Sequence, residues 1–309
     1  MKKTSNILCI LNPNASKGQA IKKVDEIKNA FAKREQSVDI IFTSQKKQAI
    51  VLAYQGAEDG YNIIIAAGGD GTVNEVANGI LKSKKKVCFG IIPIGRGNDF
   101  AYIAKIPTNI DDAVNLILTT SANYIDVGLL YCGNALDGRY FLNGAGFGFE
   151  PQVNFKASSY RNLNGPISYL VAFLYCFCFI PKPYEIKMIV DDKDISLKTQ
   201  QISVCNGRRM GGAFIMGPKA EIADGKLDVV YANQPLKRLK ITALAIKFFS
   251  GTQLKTKYMN MVNAKNSVEI KSKKEEMYIH VDGEEISRDA SFCRIEVIKK
   301  GLRLFYNDQ

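Results

Sequence analysis

Residues 61–67, Tyr-Asn-Ile-Ile-Ile-Ala-Ala, run straight into Gly68-Gly69-Asp70-Gly71-Thr72, after which Val73, Val76, Ala77 and Ile80 recur at helical spacing. A short run apolar enough to be buried on both faces, then a glycine-rich turn, then a helix is the repeating unit of a parallel sheet covered by helices. The same unit recurs along the first third of the chain. Residues 7–11 read as a strand and lead to a helix carrying Ile21, Val24, Ile27 and Phe31. A second strand over 38–43 precedes a helical stretch around 49–57, and a fourth over 87–93 enters another glycine-rich turn, Gly95-Arg96-Gly97-Asn98-Asp99-Phe100.

After about Asp126 the texture changes. Strand-like runs at 140–143, 185–190, 201–206, 226–232, 267–271 and 277–282 are separated by Gly, Asn, Asp and Lys turns, with helices over 167–180 and around 239–249. This half reads as mainly antiparallel β. The closing runs 292–298 and 302–306 read as a hairpin returning to the first domain. The expected division is therefore 1–126 for the α/β domain, with about 290–309 returning to it, and 127–289 for the β-rich domain. A length of 309 residues suits two domains, and 46% hydrophobic with 23% charged residues excludes a disordered chain.

Several chemistries have too little to work with. There is one histidine, His280, no Cys-x-x-Cys pair and no Gly-x-Ser-x-Gly elbow, which leaves little for zinc or serine-hydrolase chemistry. The seven cysteines are scattered and odd in number, the pattern of reduced thiols in a cytoplasmic protein. No cleavage-like site follows the charged opening, so no signal peptide is expected. The longest apolar run, 167–180, falls short of the roughly 20 residues that cross a bilayer. It reads either as a buried helix or, through Tyr169, Phe173, Tyr175, Phe177 and Phe179, as part of a lipid-facing surface.

The formal charge of +12 admits nucleic acid, an anionic membrane or a phosphate-bearing ligand. The densest basic cluster is Lys82, Lys84, Lys85 and Lys86, whereas Lys271, Lys273 and Lys274 are followed at once by Glu275 and Glu276. No RNP-like motif, zinc finger or long basic helix accompanies the charge, so nucleic acid is not expected as a partner.

Both glycine-rich turns fall beyond the carboxyl ends of expected parallel strands, where ligands gather in open α/β sheets. Glycines let backbone approach phosphate oxygens, and the helix that follows offers unpaired N–H groups. Neither turn is a Walker A loop, and Gly144-Ala145-Gly146-Phe147-Gly148 does not fit Gly-x-Gly-x-x-Gly. Each turn carries an aspartate, Asp70 and Asp99. A carboxylate beside polyphosphate is repulsive unless a divalent cation intervenes, which suggests Mg²⁺ with Asp126 as a third candidate; helix-capping aspartates are the alternative.

At these residues the sequence resembles the diacylglycerol kinase catalytic-domain family, which includes soluble bacterial lipid kinases and the sphingosine and ceramide kinases. The matching segments are Asn12-Pro13-Asn14-Ala15-Ser16-Lys17-Gly18, Gly68-Gly69-Asp70-Gly71-Thr72-Val73-Asn74-Glu75-Val76 and Pro93-Ile94-Gly95-Arg96-Gly97-Asn98-Asp99-Phe100-Ala101. Later come Asn206-Gly207, Met210-Gly211-Gly212, Pro218-Lys219-Ala220, Asp224-Gly225-Lys226-Leu227-Asp228 and Val281-Asp282-Gly283-Glu284, in the family's order over nearly the whole chain. Gly-Gly-Asp-Gly-Thr alone is shared with NAD kinases and phosphofructokinases; the Val-Asn-Glu-Val that follows it and the late Asp-Gly-Glu favour a lipid kinase.

The resemblance implies an α/β fold class: a doubly wound parallel-sheet nucleotide domain followed by a β-rich, antiparallel, sandwich-like domain, with the active site in the cleft between them. It implies ATP along Asn12, Ser16, Lys17, Thr43 and Gly68, Gly69, Asp70, Gly71 and Thr72, with Thr72, Asn74 and Glu75 shaping the turn and Gly95, Arg96 and Asn98 in the second loop. Asp70, Asp99 and Asp126 match the acidic set that organises Mg²⁺, Asp282 matches the general base, and Glu284 stands beside it. Asp224 matches a position that holds a second, structural Mg²⁺ in some members, here with the carbonyls of Glu221 and Lys226. The implied partners are a lipid substrate and, peripherally, an anionic membrane surface at the cytoplasmic face. A homodimer is compatible with the resemblance but has no signature in the sequence. Three positions depart from the family pattern: Arg96 stands where Thr is usual, Ala213 replaces a third glycine, and Glu150-Pro151 replaces an Asp-Ala pair. An NAD kinase-like enzyme and a non-catalytic nucleotide- or membrane-binding protein are the rival readings. His280, two residues before Asp282, reads either as a structural histidine or as a modest support to it.

Overall fold

The computed structural model describes residues 5–133, 137–160, 165–180, 182–273 and 276–307. The opening residues 1–4, Lys274, Glu275 and the Tyr169 side chain, on which parts of the sequence reading rest, lie outside the described residues. The chain divides into two compact units, Met1–Ile125 with Lys300–Gln309, and Asp126–Lys299.

In the first unit the order is β1 Ile7–Leu11, a single turn α1 Ala15–Gly18, α2 Val24–Ala32, β2 Asp39–Phe42, α3 Gln48–Glu58, β3 Ile63–Gly68, α4 Asp70–Ser83, β4 Cys88–Pro93, α5 Asp99–Ile103 and α6 Ile110–Thr119. The strands pair in parallel as β2-β1-β3-β4, with Ile7 opposite Ile63 and Ile63 opposite Cys88. β1 is buried along its whole length and β3 from Ile64 onward, as the unbroken apolar runs require. On one face Ile27, Ala30 and Phe31 of α2 and Ala113, Val114 and Ile117 of α6 pack against Cys9, Leu11 and Ile65. On the other, Gly56 of α3 lies directly over Leu8 and Ile64.

α3 and α4 approach so closely that a Cβ on Gly79 would fall on the Ile50 carbonyl and 2.6 Å from the Ala53 Cβ. Backbone cannot yield there as a flexible side chain could. Gly79→Ala is therefore expected to force the two helices apart and cost about 1–3 kcal/mol, read as a lower denaturant midpoint at unchanged m-value.

The chain leaves the first unit along β5 Asn123–Cys132 and continues through β6 Arg139–Phe141, β7 Gly144–Gly148, α7 Phe149–Ser159, α8 Gly165–Cys178, β8 Tyr184–Val190, β9 Lys193–Thr199 and β10 Gln201–Cys205. Then come β11 Arg209–Met210, β12 Phe214–Ile215, β13 Leu227–Ala232, α9 Arg238–Ser250, β14 Met259–Ala264, β15 Ser267–Ser272, β16 Met277–Val281, β17 Glu284–Ala290 and β18 Phe292–Leu304. One antiparallel sheet of the second unit runs β14-β13-β10-β7-β16-β17. Facing it are β9, β8, β15 and the first part of β18, with β5 and β6 alongside. Their inward side chains, among them Phe147, Val204, Val229 and Ile279 from the first sheet and Met188, Ile270 and Ile295 from the second, form one core, so this unit is a sandwich.

The closing segment corrects one expectation. Residues 292–306 do not form a hairpin: Phe292–Leu304 is a single strand. Its early residues pair with β15 and its last, Arg303 and Leu304, lie parallel to Cys88 and Phe89 of β4. The Lys299-Lys300-Gly301 turn signal is absorbed by one left-handed residue, Lys300, at φ 52°, where the chain passes from one unit to the other.

Candidate active site

The candidate residues fall into two groups, one in each unit. In the first unit, β3 and β4 end side by side, and the two glycine turns that follow are laced together. A Cβ on Gly95 would collide with the Cα of Gly69, so backbone meets backbone there. The Asn98 side chain, on a left-handed residue, clamps Gly95 from both sides, accepting its N–H and donating to its carbonyl, each at 3.1 Å. Asn12 donates to Thr72 Oγ1 at 3.2 Å, and Ser16 donates to the Ile94 carbonyl at 2.8 Å, which ties the loop after β1 to the other two. Ser16, Lys17 and Gly18 are all left-handed, a sharp local bend in that loop.

Asp70 is the first residue of α4, and its carboxylate accepts the Phe100 N–H at 3.2 Å. Burial pushes its carboxyl above the ordinary aspartate value, against backbone N–H groups of Phe100, Asp99, Asp70 itself and Asn98 that pull it down. A carboxylate desolvated in this way gains from a nearby cation. Asp99 is buried at the start of α5. Hard oxygen donors beside backbone free of Cβ atoms, at the first turn of a 14-residue helix, fit a nucleotide phosphate with Mg²⁺.

Glu75 and Asn74 have partners at the start of α3 and within α4. Glu75 of α4 accepts the N–H groups of Lys47 and Ala49 at 3.0 and 3.2 Å, capping α3 from outside. Asn74 is buried and receives the Asn78 amide at 3.1 Å. Thr43 is buried at the end of β2, with its N–H on the Leu11 carbonyl at 3.0 Å, while Lys17 and Arg96 are exposed on their loops.

In the second unit Asp282 and Gly283 are the two central residues of the β16–β17 turn, at φ 47° and 83°. Both left-handed, they make the type I′ geometry that Asp-Gly favours. The Asp282 carboxylate reaches across to the start of β7 and accepts three backbone N–H groups, Leu142 at 2.8 Å and Asn143 and Gly144 at 2.9 Å. Its own N–H returns to the Gly144 carbonyl at 2.9 Å. Glu284 is paired with Arg139 of β6 at 2.7 Å, bracing the same segment.

Asp126 is buried and holds the loop before β13: its Oδ2 accepts the Gly225 N–H at 2.6 Å and its N–H bonds the Ile222 carbonyl at 2.7 Å. The Asp224 carboxylate meets the Lys226 ammonium at 3.0 Å, and Glu221 lies 3.7 Å from Arg208. Asp70 and Asp99 belong to one unit and Asp126 to the other. Among the described residues no three His, Cys, Asp or Glu side chains gather as a ready-made metal site.

Known proteins match both units. Residues 6–130 match the diacylglycerol kinase catalytic domain, and residues 144–305, more than half of the chain, match the YegS C-terminal NAD kinase beta sandwich-like domain. The chain belongs to the diacylglycerol kinase family of lipid kinases. A YegS-like lipid kinase of Pectobacterium atrosepticum is 32% identical over 242 residues, 77% of this chain and 76% of the relative. A diacylglycerol kinase of Staphylococcus epidermidis is 28% identical over 292 residues, covering 92% of this chain and 86% of the relative. The crystal structure of a diacylglycerol kinase from Bacillus anthracis shares the fold, with a TM-score of 0.74 at 23% identity over 99% of each chain.

Within this lipid kinase fold, sequence reasoning missed the amides of Leu142, Asn143 and Gly144 that grip Asp282, because backbone donors leave no residue signature. It also left Glu150 as a mere departure, whereas the Glu150 carboxylate lies 2.6 Å from His280 Nε2. The three amide bonds also bear on Asp282→Asn. An amide NH₂ in place of one oxygen would face a backbone N–H. The substitution is therefore expected to cost about 1–3 kcal/mol of stability, measurable by denaturant unfolding.

Proposed function

We propose that this lipid kinase transfers the γ-phosphate of ATP, with Mg²⁺, to a lipid hydroxyl, with diacylglycerol as the acceptor named for its relatives. The observation that carries the lipid reading is the apolar surface of the second unit. Its pocket is walled by Phe149, Phe173, Met210, Phe214, Leu244 and Phe248. Around it α8 exposes Ile167, Leu170 and Leu174, Phe179 just beyond its end is exposed as well, and α9 exposes Leu239, Ile246 and Phe249. Apolar side chains in such number on one surface mark a site for lipid or protein. NAD itself, a polar dinucleotide, does not match such a surface, whereas a lipid does.

ATP would be held by the loops of Asn12, Ser16, Gly68 to Thr72 and Gly95 to Asn98, with Lys17 and Arg96 supplying positive charge. Asp70 and Asp99 would hold Mg²⁺, and the ion when bound would neutralise phosphate charge. The acceptor oxygen attacks the γ-phosphorus as the bond to the β-phosphate bridge breaks. Its proton passes to the Asp282 carboxylate, which the amides of Leu142, Asn143 and Gly144 hold in place. Phosphoryl transfer asks mainly for positioning and charge neutralisation, so a rigidly held carboxylate serves better than a mobile one. A structural cation at Asp224, with the carbonyls of Glu221 and Lys226, would require the Lys226 ammonium to move away.

The same surface supports peripheral docking on an anionic membrane. No helix among the described residues is long and apolar enough to cross a membrane. Arg238, Lys240 and Lys247 lie on α9 beside its exposed apolar residues, and Lys156 sits 3.9 Å over the Tyr175 ring on α8. Each basic residue near anionic lipid contributes about 1 kcal/mol. An Ile167→Glu, Leu174→Glu double variant is expected to lose co-sedimentation with phosphatidylglycerol vesicles while binding ATP normally. Retained sedimentation would remove α8 from the docking face.

The reaction itself is tested with labelled ATP offered against diacylglycerol in mixed micelles and, separately, against NAD. Label is expected in the lipid only, and Asp70→Asn is expected to abolish Mg²⁺-dependent transfer. Label in NAD, or no ATP consumption at all, would contradict the lipid kinase reading.

A further inference from the structure

The Asp282 turn is held by a second set of bonds that the transfer chemistry does not itself use. His280 is fully buried on β16. Its Nδ1 accepts the Gly283 N–H at 3.2 Å, and its Nε2 lies 2.6 Å from Glu150 Oε2 at the start of α7. A ring nitrogen that accepts carries no proton, so the ring proton sits on Nε2 and faces the glutamate, which fixes both tautomer and ring orientation. Room for the pair comes from Gly146 of β7: a Cβ there would collide with Glu150 Oε2 and lie 2.5 Å from His280 Nε2. Glu150 also lines the apolar pocket of this unit.

We propose that Glu150 and His280 are positioning residues for Asp282. Glu150 orients the imidazole, the imidazole holds the Gly283 N–H, and the left-handed Asp282-Gly283 pair is thereby held at both residues, Gly283 by His280 and Asp282 by the Leu142 to Gly144 amides. The inference rests on the reading of Asp282 as the group that receives the acceptor proton. The His280 bond to Gly283 and the three amide bonds to Asp282 leave the carboxylate of this two-residue turn little freedom to drift. A displacement of about 1 Å at such a position costs on the order of 10²-fold in rate.

Two near-isosteric variants separate the two bonds of His280. In His280→Asn the Oδ1 takes the place of Nδ1 and still accepts from Gly283 but cannot reach Glu150. In His280→Gln the terminal amide still reaches Glu150 but offers nothing to Gly283. With transfer from ATP to diacylglycerol in mixed micelles as the assay, His280→Gln is expected to lower kcat about 10- to 100-fold. KM for ATP and for lipid should stay within about threefold. His280→Asn is expected to recover most of that loss, and Glu150→Gln, whose Oε1 still accepts from Nε2, to stay within about threefold of the unmodified protein.

Equal kcat for His280→Asn and His280→Gln in folded protein would overturn the inference, because a purely structural histidine loses stability in both without this split. Should His280→Gln not fold, Glu150→Ala takes its place. It frees the ring while keeping it, and an unchanged kcat there would equally overturn the inference. Asp282→Asn, assayed in parallel, separates the two levels. Full activity in that variant removes the reading of Asp282 itself, whereas its loss of activity beside unchanged His280 variants removes only the positioning role.

Discussion

The second unit is organised around one carboxylate accepting three backbone N–H groups. Asp282 joins the β16–β17 turn to the start of β7, which lies at the centre of its sheet between β10 and β16. Hydrogen bonds to a charged acceptor are roughly twice as strong as neutral ones, and three of them on one side chain fix its position within the sheet. Around that point the other polar groups take supporting places. Glu284 with Arg139 braces β6, His280 holds the Gly283 amide, and Glu150 holds His280. Such rigidity suits the role proposed for Asp282, because catalysis by positioning asks for a fixed group at the acceptor oxygen.

The first unit solves a different problem, bringing three loops to one end of a parallel sheet without side chains in the way. Gly69 against Gly95 gives the closest approach, and Asn12, Ser16 and Asn98 supply the cross-links. Asp70 has a double place in this arrangement. Its carboxylate receives amides of the second loop, so it joins the loops, and the cost of its burial is what a divalent cation would offset. Neither Asp70 nor Asp99 is the helix cap that the alternative reading offered: Gly69 and Asn98 hold the N-cap positions without a side-chain cap, and the aspartates follow as first helical residues.

Most of the fold could be read from hydrophobic pattern. Strands β1 to β4, the helices between them, and the runs that became β8, β10, β13, β15 and β16 all announce themselves by apolar stretches bounded by turn residues. β7 did not. Gly144-Ala145-Gly146-Phe147-Gly148 carries no alternating pattern, yet it is a fully buried central strand, because its small residues admit Glu150 and His280 beside it. β18 misled in the opposite way: a lysine-glycine signal suited to a turn was spent on one left-handed residue inside a continuous strand. In the candidate site, motif residues were legible wherever glycine or aspartate is chemically obligatory. Partners were not legible where they are backbone amides, nor where the motif glutamate Glu75 is drawn off to cap a neighbouring helix. Such choices depend on tertiary neighbours about 30 to 140 residues away, which local spacing does not encode.

The most direct test is a crystal structure of the protein with a non-hydrolysable ATP analogue, Mg²⁺ and a short-chain diacylglycerol. The acceptor hydroxyl is expected within hydrogen-bond reach of an Asp282 oxygen, at about 2.6–3.2 Å, with the three amide bonds of that carboxylate intact. A hydroxyl bound to a different side chain, with Asp282 engaged only by its amides, would contradict the assignment of the proton acceptor on which the account rests.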